Sequence, residues 1–325
     1  MPPERRFEPI RDWREGDSIV GFALVTKKEV RQDKSGRDYL DMEVSDATGS
    51  MIGKAWSDSK ALQRTFSVHE YVKVKGQVRA FRDQLQFNVE DCRPITDEDR
   101  QEGFDESKLV PSTREDIDDL WMRLAGLLGS VDRAVLRRLA QETLDVWGAQ
   151  LREHPAAKTI HHAYRGGLLE HSVSMAELAD AVAKHYPELD RDLLLLGVLF
   201  HDLGKIIELG AMPANDYTLP GRLVGHVVIG RDLLRDRCAA IPDFPAALQL
   251  QLEHLVLSHQ GTREFGAAVE PMTAEAQALH FIDDLDSKMN QLRRARENGP
   301  ALQWNNTLRR FLYFLPAEPA AEVLP

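Results

Sequence analysis

The chain has 325 residues, 43% of them hydrophobic and 29% charged, with 21 Gly and 16 Pro; this is a globular composition with room for two domains, and it excludes disorder, collagen and mucin-like stalks. Two cysteines, Cys92 and Cys238, exclude a disulfide framework, a cysteine zinc finger and a CxxC pair together, which leaves any metal to His and Asp. A net charge of −11 argues against a simple electrostatic nucleic-acid binder. The longest apolar run, Leu193 to Phe200, is far short of a membrane span, and the charged N-terminus lacks the apolar centre of a signal peptide, so a cytosolic protein is expected.

Residues 1–15 read as an N-terminal arm. From 16 to 95 the pattern alternates: Tyr39, Asp41 and Glu43 interleave with Leu40, Met42 and Val44, and Tyr71 to Arg79 repeats the two-residue period. Turn signals fall at Lys34-Ser35-Gly36 and Asp46-Ala47-Thr48-Gly49. About five strands in this length predict a small closed barrel, with a short helix or loop over 57–66 where an OB-fold has its inserted element. An SH3-like barrel is the structural alternative. Residues 96–119 carry 3 basic and 10 acidic side chains and no sustained apolar period, and read as an acidic linker ending in a helix cap near Ser112 or Thr113. Residues 120–315 turn helical in period, with Val131, Val135, Leu139, Leu144, Trp147 and Leu151 on one face. Further helices are predicted near 168–186, 190–206, 223–238, 246–259, 272–293 and 300–312, with a loose tail over 316–325. The fold class expected is therefore multidomain, an all-β barrel followed by an all-α bundle.

Ten of the 11 histidines lie beyond residue 150. His201-Asp202 closes the apolar run Leu193 to Phe200, where a buried carboxylate is costly unless a cation compensates it. His171, His226, His254, His259 and Asp283 also fall on predicted helices or at their ends. A lone histidine on an apolar helix is usually a hydrogen-bonded core residue, but several helices of one bundle can aim imidazoles and carboxylates at a common centre.

His201-Asp202-Leu203-Gly204-Lys205, with His171 upstream and Asp283 downstream, matches the HD phosphohydrolase pattern. Over 160–290 the chain resembles the HD domain of the YhaM-type 3′→5′ exoribonuclease family, through His161 to His171, His201 to Lys205, Gly225 to Gly230, Ser258 to Gly261 and Ile282 to Met289. In that family an OB-fold precedes the HD domain. The resemblance implies that His171, His201, Asp202 and Asp283 hold one divalent metal and that His226 and His259 hold a second, with His254 a further candidate and Asp202 bridging. Gln260 departs from the pattern, since similar proteins often carry a second histidine there, and this bears on whether one ion is held or two. Imidazole and carboxylate without thiolate suit Mn²⁺ first, with Fe²⁺, Co²⁺ and Zn²⁺ as alternatives. His254 and His259 stand about 140° apart on a straight helix, so both ligate only if the helix ends or bends between them.

Such a centre suits phosphodiester hydrolysis, because a divalent ion lowers the pKa of a water and offsets charge on phosphoryl oxygens. Asp202 and Lys205 are the expected catalytic residues; Lys205 is placed to contact a phosphate, against the alternative of a solvated lysine at a helix end. Arg165, His161 and His162 are candidates to hold the nucleotide, against the alternative that His161-His162 is a polar turn. On the barrel, Tyr71, Lys73, Lys75 and Arg79 share a strand face and form the expected strand-binding surface, while Trp56 is expected in the core. The expected partner is single-stranded RNA, with single-stranded DNA as the alternative, and the expected products are 5′-mononucleotides. The rivals are a phosphohydrolase of free or cyclic nucleotides and a non-catalytic RNA-binding adaptor.

Overall fold

The computed structural model describes residues 4–56, 59–82, 84–158, 162–298 and 301–315. They form two compact units, the first ending at Ser112 and the second beginning at Thr113, with Ala211–Asn215 grouped with the first.

The first unit is a closed barrel. Strands β2 (Ser18–Gln32), β3 (Asp38–Asp46), β4 (Gly49–Ala55), β5 (Tyr71–Phe81) and β6 (Gln84–Pro94) follow β1 (Glu4–Arg6), with helix α1 (Ser59–Thr65) between β4 and β5. The sheet order is β1-β2-β3-β4-β6-β5, and β5 pairs back onto β2. The long β2 makes closure possible, because its first half pairs with β5 (Ser18 opposite Gln77) and its second half with β3 (Gln32 opposite Asp38). A register shift at Lys75/Gly76 bends β5 against β6, and only glycine fits there: a Cβ on Gly76 would lie 2.1 Å from the Asn88 carbonyl oxygen. The two-residue period sends Leu40, Met42, Val44, Val72, Val74, Val78 and Phe87 into one core.

Three expectations change in this unit. The N-terminal arm belongs to the barrel, since β1 pairs with β2 and Ile10 and Trp13 are buried in its core. The acidic segment is structured: α2 (Asp97–Gln101) starts in a capping box between Thr96 and Asp99. Asp99 is buried, and its carboxylate takes Arg93 at 2.5 and 2.9 Å and Lys73 at 2.8 Å. The Arg93 bond, with Lys73 behind it, holds Asp99 well below the usual carboxylate range against the opposing cost of burial. The acidic charges that resembled a linker in the sequence are thus drawn onto the basic strands β5 and β6. Finally, Met51, Gly53 and Ala55 line the inside of β4, so Trp56 faces out and is 53% exposed.

The second unit is helical. It comprises α3 (Ile117–Gly129), α4 (Ala134–Glu153), α5 (Gly167–His185), α6 (Arg191–His201), the short α7 (Lys205–Glu208) and α8 (Leu219–Leu223), α9 (His226–Ala240), α10 (Ala246–Ser258) and α11 (Ala274–Asn298). Asp116, not Ser112 or Thr113, caps α3; the Thr113 hydroxyl donates to Glu170 at 2.5 Å instead. α6 is buried from Asp192 to His201 and packs at the centre of a core drawn from α3 to α6 and α9 to α11. The helix expected over 190–206 breaks at Asp202. Gly204 just beyond the break lets the start of α9 close in, because a Cβ there would lie 2.1 Å from the His226 carbonyl oxygen. The helix expected over 300–312 is instead a two-stranded ribbon, β7 (Leu302–Asn305) and β8 (Arg310–Tyr313). Alternation of Leu302 with Trp304 and of Phe311 with Tyr313 is the strand signal that a helical reading passes over. No helix among the described residues is long and apolar enough to cross a membrane.

Candidate metal centre

Five helices deliver the centre, four of them through their ends. His171 lies in the first turns of α5, His201 is the last residue of α6 with Asp202 as its C-cap, His226 opens α9, His259 follows α10, and Asp283 lies within α11. His171, His201, Asp202 and His259 are buried. Among the described residues the ligand atoms form three groups, each within 4.8 Å: His171 with His201 and Asp283, Asp202 with His226 and His259, and behind them His162 with His171 and Asp286.

Asp202 joins the first two. Its Oδ2 lies 3.6 Å from His171 Nε2 and 3.4 Å from His201 Nε2, and its Oδ1 lies 3.5 Å from His226 Nε2 and 3.8 Å from His259 Nε2. Every imidazole is turned the same way, because its Nδ1 is held by an acceptor. His201 Nδ1 donates to the Val198 carbonyl (2.8 Å), His259 Nδ1 to Val256 (2.7 Å), His226 Nδ1 to Glu208 (3.1 Å) and His171 Nδ1 to Asp286 (2.7 Å). This orients the rings and aims four Nε2 atoms at Asp202.

The donor set fits a divalent cation. Asp202 Oδ1 and His226 Nε2 are buried without any hydrogen-bond partner, a cost that an ion between them removes. Burial would raise both aspartates, yet Lys205 and His201 at Asp202, and His171 at Asp283, hold both carboxyls below their ordinary range. Burial pushes His259 down to about 3, so it is a neutral donor. At His171, burial is outweighed by bonds to Asp283 and Asp286, which push it up to about 10. The site thus prefers a cation, and an ion bound by His171 takes the place of the proton its carboxylate neighbours hold there.

The other expected residues are distributed differently. Lys205 is buried, with Nζ 2.5 Å from Asp202 Oδ2, so its ammonium is at the centre and paired with the ligand. His254 is not in the cluster; its Nε2 accepts the Met272 backbone N–H at 2.9 Å, on the side of α10 that the five-residue offset turns away from His259. His162 is buried, with Nε2 3.1 Å from Asp286 and Nδ1 accepting the Tyr164 hydroxyl at 2.9 Å, so it supports the ligands from the wall of the cavity beside them. Arg165 lies 3.9 Å from Glu153. His161 lies outside the described residues. Gln260 places its amide nitrogen 2.8 Å from His259 Nε2. On the barrel, Lys73 is taken by Asp99 and Glu102, and the Tyr71 hydroxyl bonds Glu106 at 3.0 Å, so α2 and the turn after it withdraw half of the expected binding face; Lys75 and Arg79 stay exposed.

Asp286 is the residue that sequence reasoning missed. It binds His171 and His162 and accepts the Ser174 hydroxyl, at the edge of a polar cavity of about 210 Å³ also lined by Arg123, Glu170 and Asn290. Its signal was the Asp283 to Asp286 spacing, one turn apart on the same helix. Asp286→Asn is expected to weaken divalent-metal affinity by about 10- to 100-fold through a loosened His171. Competition with a metal-indicator dye measures this; unchanged affinity would mean that His171 is held without it.

A closed barrel joined to a helical His/Asp centre defines the class as a metal-dependent phosphohydrolase of the HD type carrying an OB-fold. The HD domain profile matches residues 168–288, and that of the OB-fold nucleic acid binding domain matches 22–95. The chain is 32% identical over 282 residues to the 3′-5′ exoribonuclease YhaM of Bacillus subtilis (strain 168), covering 87% of this chain and 88% of that protein. It is 33% identical over 285 residues to the YhaM of Bacillus pumilus (strain SAFR-032), covering 87% and 89%. The chain belongs to the YhaM 3′-5′ exoribonuclease family. The second OB-fold domain of replication protein A from Methanococcus maripaludis is similar to 28% of this chain, over 95% of its own length, at 20% identity and a TM-score of 0.23.

Proposed function

We propose that the protein is a divalent-metal-dependent 3′→5′ exoribonuclease that releases 5′-mononucleotides from single-stranded RNA. The observation that carries this is Asp202, whose two oxygens each face a separate set of imidazoles. That arrangement favours two ions: His171, His201 and Asp283 would hold one and His226 and His259 the other, with Asp202 within reach of both. Mn²⁺ suits a donor set of imidazole and carboxylate. Bound there, the ions supply Lewis acidity for the phosphoryl oxygens and lower the pKa of a water. Asp202 keeps the charges compensated, Lys205 balances its carboxylate, and Glu208 and Asp286 keep the imidazoles oriented. The direction of digestion follows the activity for which the relatives are named.

For the strand, the outer face of β3 and β4 replaces the expected face of β5. Tyr39 and Trp56 stack at 4.7 Å between ring centroids, and Lys54 Nζ lies 5.0 Å from the Tyr39 ring. An exposed tryptophan stacked on a half-buried tyrosine beside a lysine, on these strands of an OB-fold, suits base stacking and phosphate contact. Trp56→Ala is expected to weaken binding of a single-stranded 20-mer by about 1–3 kcal/mol, the worth of one stacked base; fluorescence anisotropy measures it, and an unchanged affinity would remove this face from the binding surface.

The decisive experiment incubates 5′-labelled and 3′-labelled single-stranded RNA with Mn²⁺, beside single-stranded DNA of the same sequence. A descending ladder from the 5′ label with immediate mononucleotide from the 3′ label is the expected result. The reverse pattern, or internal fragments from both labels, would overturn the direction or the mode.

A further inference from the structure

The ribbon that replaces the expected last helix has two unlike faces. Its register sets Leu302 opposite Tyr313, Gln303 opposite Leu312 and Trp304 opposite Phe311. Leu312 is buried, and Gln303 donates to the Ala295 carbonyl of α11 at 2.8 Å, so this face lies against its own helix. The other face carries Leu302, Trp304, Phe311 and Tyr313, exposed by 60, 51, 68 and 65%. Trp304 and Phe311 meet edge to face at 5.2 Å. Four large side chains on one side of a two-stranded ribbon are more than a solvated surface normally keeps.

Charge identifies what covers them. Residues 288–315 contain six basic side chains and one acidic, in a protein whose net charge is −11. The one acid, Glu297, is paired with Arg114 at 2.9 Å. Among the described residues Arg293, Arg296, Arg309 and Arg310 make no ion pair, and all four are exposed. By register Arg310, opposite Asn305, falls on the side of Leu312 and not among the rings, so the positive charge flanks the apolar face, and a second copy docked there would add like charge at its rim. A flexible polyanion with flat apolar faces satisfies both halves, phosphates on the arginines and bases on the rings.

We infer that the β7–β8 ribbon and the arginines at the end of α11 form a second contact for single-stranded RNA, on the catalytic unit itself. The inference rests on RNA being the substrate, as proposed above. α11 also carries Asp283, and Arg293 lies ten residues further on, about 15 Å along the axis. At a stacked rise of about 3.4 Å, that spacing is some four or five nucleotides. The contact therefore holds the strand a few nucleotides from the centre.

The test uses full-length protein carrying Asp202→Asn, which preserves the strand, and a fluorescent single-stranded RNA 20-mer in anisotropy over a salt series. In that background Trp304→Ala with Phe311→Ala, and separately Arg309→Gln with Arg310→Gln, are each expected to weaken binding at least tenfold. The arginine pair should also flatten the log–log salt slope by about 1.4, at about 0.7 per lost phosphate contact, and the aromatic pair should leave it unchanged. All four side chains are exposed, and thermal melting checks that each variant is folded. Affinities within twofold of the parent in both variants overturn the inference while leaving the proposed function standing. A dimer in sedimentation that the aromatic variant dissolves, with RNA affinity unchanged, assigns the face to a second copy and overturns it equally. A parent that binds no RNA defeats the proposed function, and the ribbon contact falls with it.

Discussion

Asp202→Asn is expected to abolish hydrolysis, lowering turnover by about 10³-fold or more, at least the cost of losing one well-placed electrostatic stabiliser. Asp202 faces both ligand groups, with an oxygen 3.4 to 3.8 Å from each of four imidazole nitrogens. An amide keeps the shape and one acceptor but loses the charge that holds cations between them. Asn is the right replacement, because Lys205 Nζ rests on Asp202 Oδ2 and alanine would leave a buried ammonium without a partner. The amide oxygen still accepts that bond, so with chelator present the variant should melt within a few degrees of the metal-free parent. The measurement is digestion of labelled RNA in excess Mn²⁺ beside a thermal melt. Turnover above about a twentieth of the parent's would exclude Asp202 from the role given it, since less than 2 kcal/mol of barrier would then depend on it.

Removing the metal should be almost as costly to the fold as to the activity. An ion held at about 1,000 times its dissociation constant stabilises the folded state by about 4 kcal/mol. For a helical unit of roughly 200 residues, each kcal/mol moves the midpoint by about 2–4 °C. Exhaustive chelation is therefore expected to lower the melting temperature by about 8–16 °C and to stop hydrolysis, and added Mn²⁺ should restore both. The stabilisation removes a specific burden, the orphaned Asp202 Oδ1 and His226 Nε2 in a buried site. All the ligand groups found among the described residues lie in the helical unit, so the shift should appear in its unfolding and vanish in Asp202→Asn. A melt insensitive to chelator and to Mn²⁺ would mean that the cluster holds no structural ion.

The two effects trace to residues whose chemistry was readable before any fold was known. A carboxylate one residue beyond eight apolar ones calls for compensation wherever the helix packs, so Asp202 pointed to a cation, and His171 upstream with Asp283 downstream completed the pattern. The barrel was readable for a similar reason, because a two-residue period constrains strands regardless of what they pack against. Gly204 was visible only as part of a motif, and its reason appears with the His226 carbonyl 2.1 Å from where a Cβ would stand.

What only the tertiary structure decided is which of two neighbours faces inward. Asp286 and Asp284 are both acids in one turn of α11, yet one binds His171 and the other pairs with Lys288 at the surface, because α5 packs on one side of that helix and not the other. Helical position alone left His254 a further candidate beside His259; the five-residue offset turns it away from the centre to the Met272 N–H. On the barrel, Lys73 looked free until α2 brought Asp99 to it, and Trp56 looked buried until β4 placed Met51, Gly53 and Ala55 inside. At the C-terminus, an apolar, arginine-rich stretch read as a helix pairs instead with itself as a ribbon. Periodicity and motif are local properties of the chain and were determined by the amino-acid sequence, whereas facing, pairing and charge neutralisation depend on partners brought near from elsewhere in it, and only the folded structure supplies those.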